Sequence, residues 1–204
     1  MGWYTDEVVP RFINVALGSK RFVPMRQRVT AGLEGDVVEI GFGSGLNVPY
    51  YPPAVRSVKA IDPSAVGKQL ARDRVASALV PIEYVGLDGA HLPLRDASAD
   101  HVLSTWTLCT IPDVDDALAE VRRVLRPGGS LHFLEHGRSP DAKVARTQDR
   151  LTPINRRLAG GCHMNRPIRD LLDGSGLEVT TIENYYVKGP KAVGYMYEGV
   201  AEKR

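Results

Sequence analysis

A chain of 204 residues, 43% hydrophobic and 25% charged, suits one soluble domain with a full-sized core. Its formal net charge of +2 gives no whole-molecule attraction to nucleic acid, and its two cysteines, without a CxxC pair, argue against a structural zinc site or a disulfide-stapled secreted fold. Asp6, Glu7 and Arg11 interrupt the start of the chain, and the uncharged stretch from Val102 to Pro112 is too short and polar to span a bilayer, so a cytoplasmic protein without a membrane partner is expected.

Tyr4, Val8, Phe12 and Ala16 recur at helical spacing and predict a helix over 3–16. Residues 36–40 predict a buried strand running into glycines, and 57–61 a second strand ending at Asp62. Ser64 is the expected N-cap of a helix reaching about Ala78. Short strands follow at 82–87 and 100–106, then a helix from Asp113 to Leu125. Arg126-Pro127-Gly128-Gly129 predicts a stop and turn before a fifth strand, Leu131 to Glu135. This alternation implies an α/β fold with a parallel sheet and helices on both faces. The last third predicts helices at 141–159 and 167–175. Two strands, 179–186 and 192–200, should pair antiparallel across Lys188-Gly189-Pro190-Lys191. The chain therefore reads as a single domain, 1–204, with a helical cap over 1–30 and a substrate-side insertion over 137–176.

The sharpest local signal is Glu39-Ile40-Gly41-Phe42-Gly43-Ser44-Gly45 directly after a strand. Glycine permits the tight turn and lets backbone approach a ligand, and such loops lie at the carboxyl ends of sheet strands, where ligands bind. The dinucleotide fingerprint needs a glycine where Leu46 stands, which disfavours a nicotinamide oxidoreductase. Asp62, ending the next strand, is placed to accept hydrogen bonds from two ribose hydroxyls.

Four segments in order, Glu39 to Gly45, Ala60-Ile61-Asp62-Pro63-Ser64, Asp88-Gly89-Ala90-His91-Leu92-Pro93 and Leu125-Arg126-Pro127-Gly128-Gly129, resemble the class I Rossmann-like S-adenosylmethionine-dependent methyltransferases over roughly residues 30–135. The resemblance implies a doubly wound, mostly parallel sheet with an antiparallel C-terminal strand, and S-adenosylmethionine as cofactor. It implies that Glu39 holds the methionine amino group and that the loop Gly41, Phe42, Gly43, Ser44 and Gly45 lines the cofactor. Asn47 joins this set. Asp62, with Pro63 and Ser64, would take the ribose, and Asp88, Gly89 and Ala90 the adenine. Thr105 and Trp106 would sit under the methionine and methyl group. Asn47 with Tyr51-Pro52-Pro53, Glu135-His136, Gly160-Gly161-Cys162-His163 and Gly194-Tyr195-Met196-Tyr197 further resemble the small methyltransferase-like family that includes thiol S-methyltransferases.

The implied reaction is methyl transfer to a small-molecule acceptor. O-methylation of a hydroxyl on a sugar, phenol or other metabolite is placed ahead of thiol S-methylation. A hydroxyl needs its proton removed, and histidine suits that near neutral pH. His136, after the fifth strand, and His163, in a glycine-flanked loop, are the candidate bases; His91, His101 and His132 are assigned to structure. Glu135 and His136 are adjacent in one strand and point to opposite faces, so no metal site is assigned. Cys109 is assigned to core packing. The arginines from Arg146 to Arg169 are read as a solvated helix face. Trp106, Tyr50, Tyr51, Tyr185 and Tyr186 are candidates for an aromatic acceptor pocket, with packing as the rival reading. A homodimer and a non-catalytic cofactor-binding module stay open.

Overall fold

The computed structural model describes residues 3–204, so the first two residues of the expected N-terminal cap lie outside it. A π-helical turn, Tyr4–Val8, leads into α1 (Val9–Leu17), and a 3-10 turn into α2 (Val23–Thr30). Then come β1 (Gly35–Ile40), β2 (Val55–Ile61), α3 (Ala65–Ala76), β3 (Ile82–Gly86), β4 (Ala99–Thr105) and α4 (Val114–Val124). The remainder is β5 (Leu125–His136), α5 (Ala142–Leu158), α6 (Ile168–Gly174), β6 (Glu178–Tyr186), α7 (Lys191–Gly194) and β7 (Tyr195–Glu202).

The seven strands form one sheet in the order β3-β2-β1-β4-β5-β7-β6. β1 pairs parallel with β2 and β4, and β4 parallel with β5; β7 runs antiparallel to both β5 and β6. The chain reverses its winding between β1 and β4, the place where open α/β sheets leave a crevice beyond their strand ends.

Local chemistry explains the elements. Ser64 caps α3 by accepting a hydrogen bond from the Gly67 amide at 2.9 Å. α4 buries Val114, Ala117, Leu118, Val121 and Val124, one face at helical spacing. Asp115 and Asp116 sit in its first turn and Arg122 and Arg123 in its last, each complementing the helix dipole. The central strands are apolar because helices cover both faces: Val38, Ile40, Val102, Leu131 and Phe133 share one core with α4 and α6.

Three sequence expectations change. Arg126 to Gly129 does not stop the chain. It lies inside β5 as an irregularity, the register passing from Ala99 opposite Leu125 to His101 opposite Ser130. A side chain at Gly129 would meet the Asp100 carbonyl at 2.7 Å, so glycine allows β4 and β5 to close there. The connection between β6 and β7 contains the helical turn α7, so β7 begins at Tyr195 instead of residue 192. The inward row of the first helix is Val9, Ile13 and Leu17, one residue on from the predicted Val8, Phe12 and Ala16; Phe12 is 67% exposed.

Candidate active site

A cavity of about 890 Å³ opens at the carboxyl ends of β1, β2, β3 and β4. Most residues singled out from the sequence line it: Glu39, Gly41, Phe42, Gly43, Ser44 and Asn47 from the first loop, then Asp62, Pro63 and Ser64 after β2. Asp88 and Gly89 join after β3, and Thr105 and Trp106 at the end of β4. Gly45 and Ala90 do not line it. Gly45 packs under Phe42 and Ala71, and Ala90 is buried with its amide donating to Asp88 Oδ1 at 2.9 Å.

The glycine loop owes its shape to left-handed backbone, with φ of +73° at Gly41, +54° at Gly43 and +70° at Gly45. A side chain on Gly41 would collide with Thr107. Gly43 differs, because the nearest protein atom to an added Cβ is 3.8 Å away. Backbone here faces open cavity, which is the cradle a bound ligand needs.

Glu39 is fully buried at the end of β1. Its carboxylate accepts a hydrogen bond from Asn47 Nδ2 at 2.8 Å and another from the Tyr51 hydroxyl. Burial nevertheless pushes its pKa up to about 7. Asn47 Oδ1 in turn accepts from Arg26 Nη1 at 2.6 Å, and Asn47 Nδ2 also reaches Thr105 Oγ1 at 3.0 Å. Arg26 is 4% exposed, and burial lowers its pKa to about 10. Its guanidinium lies 4.8 Å from the Trp106 ring centroid. Asp62 accepts the Gly43 amide at 2.7 Å and the Ser64 amide at 2.8 Å, which ties the glycine loop to the start of α3. Burial raises its pKa as well, against those two bonds.

Trp106 adopts φ +52°, an uncommon backbone for an aromatic residue. Its ring packs edge-on against Phe22 at 5.2 Å. The loop it begins is held from behind by Glu135, which accepts from Ser104 Oγ, Thr107 N and Leu108 N at 2.8–3.1 Å and from Cys109 N at 3.3 Å. Arg166 grips the same loop through the Leu108 and Ile111 carbonyls at 2.5 and 2.6 Å. Glu135 is thus a loop anchor, a role strand periodicity does not reveal.

The candidate bases sit elsewhere. His136 is 7% exposed, and its Nε2 lies 3.1 Å from Cys162 Sγ. Burial disfavours its charged form, but the hydrogen bond and charge of Cys162 outweigh that and raise its pKa. His163 Nδ1 faces Arg166 at 3.2 Å, and burial together with Arg166 lowers its pKa. Neither histidine lines the cavity. Of the segment 137–176 only Gly160 and Gly161 do, and of the proposed aromatic set only Trp106. Tyr51 serves Glu39, and Tyr185 serves Glu198. The remaining histidines are structural: His91 pairs with Asp88 at 2.9 Å, His101 with Ser130 at 2.8 Å, and His132 with the Val29 carbonyl at 3.0 Å. Arg146, Arg150, Arg156, Arg157 and Arg169 are exposed, as read, whereas Arg166 is buried.

The sequence reading missed the α1 wall of Val9, Pro10, Ile13 and Leu17, and it missed Arg26, Thr110, Ile111 and Pro112. The spacing Val9, Ile13, Leu17 carried the helical signal; nothing local marks Arg26, whose partner Asn47 belongs to another loop.

With this geometry in place, similarity to known proteins is informative. A family profile described as a methyltransferase domain matches residues 38–133. A methyltransferase from Thermotoga maritima, described as S-adenosylmethionine-dependent, superposes with a TM-score of 0.70 at 22% identity, covering 98% of this chain and 100% of that one. Residues 38–133 thus form a methyltransferase domain, on the fold of the class I S-adenosylmethionine-dependent methyltransferases. Human thiol S-methyltransferase TMT1B is 36% identical over 141 residues, 66% of this chain and 57% of the relative. Phosphatidylethanolamine N-methyltransferase of Cereibacter sphaeroides is 29% identical over 147 residues, 71% of each chain. The chain thus spans a little over half the length of the thiol S-methyltransferase it matches. The cofactor of this class is S-adenosylmethionine, and the residues around the cavity fit it: the buried carboxylate of Glu39 and the partly buried one of Asp62 flank the open cradle at Gly43. No helix among the described residues is long and apolar enough to cross a membrane.

Proposed function

We propose that this chain transfers the methyl group of S-adenosylmethionine to the sulfur of a small apolar thiol. The observation that carries the acceptor assignment is the composition of the cavity wall. Beside the residues that face the cofactor, the wall carries an apolar stretch formed by Val9, Ile13, Leu17, Ile111 and Pro112 with the Trp106 ring; Asp6, Glu7, Arg26, Thr107 and Thr110 also line it, and it includes no histidine.

When bound, S-adenosylmethionine supplies an electrophilic methyl group on a sulfonium. The chain's residues then bind and align. Glu39, oriented by Asn47 and Tyr51, holds the cofactor's amino group. Asp62 takes the ribose hydroxyls, and Asp88 with Gly89 takes the adenine edge. Trp106 and the α1 wall exclude water and hold the acceptor in line, and such positioning can supply several kcal/mol. A thiol with an ordinary pKa of about 8.5 is partly thiolate at neutral pH and needs no protein base. A hydroxyl does need one, and the sequence reading that placed O-methylation first relied on His136 or His163. With both side chains away from the cavity, the thiol is the better fit. The 36% identity to a thiol S-methyltransferase supports the same choice.

The test is a panel of alkyl and aryl thiols, phenols and sugars assayed with methyl-labelled cofactor. Methylated thiols are the expected products, and turnover confined to hydroxyl acceptors would overturn the assignment. Calorimetric binding of S-adenosylhomocysteine, with no binding of a nicotinamide dinucleotide, checks the cofactor independently.

A further inference from the structure

Behind the cavity wall, three soft ligands from separate parts of the chain converge. Cys109 follows β4, His136 ends β5, and Cys162 follows α5. One donor atom from each, two Sγ and an imidazole nitrogen, lie within 4.8 Å of one another, and His136 Nε2 is 3.1 Å from Cys162 Sγ. All three are buried, with Cys109 only 1% exposed. None lines the cavity, and methyl transfer as derived above uses none of them. Their neighbours do line it: Thr110 and Ile111 beside Cys109, and Gly160 and Gly161 beside Cys162.

We propose that Cys109, His136 and Cys162 form a binding site for one thiophilic d¹⁰ metal ion, zinc(II) or copper(I), that fastens the two wall segments together. The donor set selects the ion class. Two thiolates and an imidazole suit zinc or copper(I), whereas magnesium and calcium require oxygen ligands. Ligand atoms around a tetrahedral zinc sit about 3.5–3.8 Å apart, so small side-chain rotations suffice to admit an ion. The supports are rigid. The Cys109 amide is held by Glu135 at 3.3 Å, and its carbonyl accepts from the His163 amide at 2.8 Å. The Cys162 carbonyl accepts from Asn155 Nδ2 at 3.0 Å. Among the described residues the His136 ring makes its side-chain hydrogen-bond contacts with Cys162 Sγ alone, so an ion displaces no other partner of these. On binding, two protons leave to solvent for two metal–sulfur bonds, the Cys109 proton and the one the Cys162–His136 pair shares, and the imidazole binds in its neutral form.

Because the chain has only two cysteines, every thiolate–metal signal reports this site. The reduced, chelator-washed chain is titrated without oxygen with Co²⁺ and Zn²⁺, and separately with Cu⁺ released from a chromophoric chelator. The expected result is one equivalent bound, with sulfur-to-cobalt charge-transfer absorption that Zn²⁺ abolishes, or one equivalent of Cu⁺ drawn from the chelator. Metal should slow reaction of both thiols with a disulfide reagent at least tenfold and raise the melting temperature of the unsubstituted chain. Cys109→Ser and Cys162→Ser should each lose the absorption. Absence of both binding and thiol protection in the unsubstituted chain with all three ions would overturn the proposal without reliance on any variant. So would cobalt absorption that survives in the Cys109→Ser/Cys162→Ser double variant.

Discussion

Asn47 bridges Glu39 and Arg26: its amide nitrogen donates to Glu39 Oε1 at 2.8 Å while its amide oxygen accepts from Arg26 Nη1 at 2.6 Å. The arrangement fixes which way the amide points, since only the oxygen can face a guanidinium. It also lets two buried ionisable groups of opposite sign share one neutral partner. Asn47→Leu would leave both short of a hydrogen bond. It should lower unfolding stability by about 1–3 kcal/mol, measured by urea denaturation of the unliganded chain. Unchanged stability would show that water replaces the amide at no cost.

Glu39 gives the cofactor site a pH dependence. Its pKa of about 7 in the empty site reflects burial, and an ammonium group bound beside it favours the ionised form. Affinity for S-adenosylhomocysteine should therefore rise about tenfold between pH 6 and pH 8, with about half a proton released at pH 7. Calorimetry in buffers of different ionisation enthalpy measures that proton. Stability of the empty chain carries the opposite sign. The contribution of neutral Glu39 is complete below its ordinary pKa and is lost as pH rises through about 7. Glu39→Gln should flatten the affinity profile; a flat profile in the unsubstituted chain would refute the assignment.

Asp62→Ala and Gly43→Val both probe the cofactor cradle, the first removing the tie to the Gly43 and Ser64 amides together with the ligand contact. Losing a carboxylate that binds ribose should cost roughly 1.5–3 kcal/mol of cofactor affinity, about 10- to 150-fold in Kd. At Gly43 a side chain meets no close protein atom but must adopt φ +54° and enters ligand space. Gly43→Val should abolish cofactor binding while the chain still folds. Normal affinity in a folded Gly43→Val variant would mean that the ligand does not use the cradle.

Acceptor chemistry predicts a tolerant histidine. His163→Ala should leave the rate of thiol methylation within a few-fold, and the pH–rate profile should follow ionisation of the acceptor thiol. A loss of 10²–10⁴-fold in turnover with cofactor affinity intact would instead identify His163 as a general base.

His132 shapes the acid limb of stability. Burial holds its pKa down to about 4, and His101 adds to the effect. A depressed histidine favours the folded state above its ordinary pKa of 6.5, and that contribution is lost as pH falls through about 4. Its size is roughly 3 kcal/mol at most. His132→Gln should reduce the stability lost between pH 6.5 and 4, read from urea midpoints across that range. An unchanged slope would assign acid sensitivity to other groups.

Strand and helix alternation, the glycine loop and the strand-end carboxylates Glu39 and Asp62 were all legible in the sequence. Each depends on contacts within a few residues: the 3.6 and 2.0 periodicities, left-handed φ at glycine, and an acidic residue where a strand stops. Thirteen of the fifteen residues assigned to the cofactor do line the cavity for that reason. Gly45 and Ala90 belong to the same motifs but turn inward as packing. Tertiary structure alone decided the rest. Arg26 meets Asn47, Glu135 meets the amides of 107–109, and Cys109 meets His136 and Cys162 only after the sheet has closed. The same closure turned His136 toward Cys162 and away from the cavity, a choice of side-chain direction that a strand-end position in the sequence leaves undetermined.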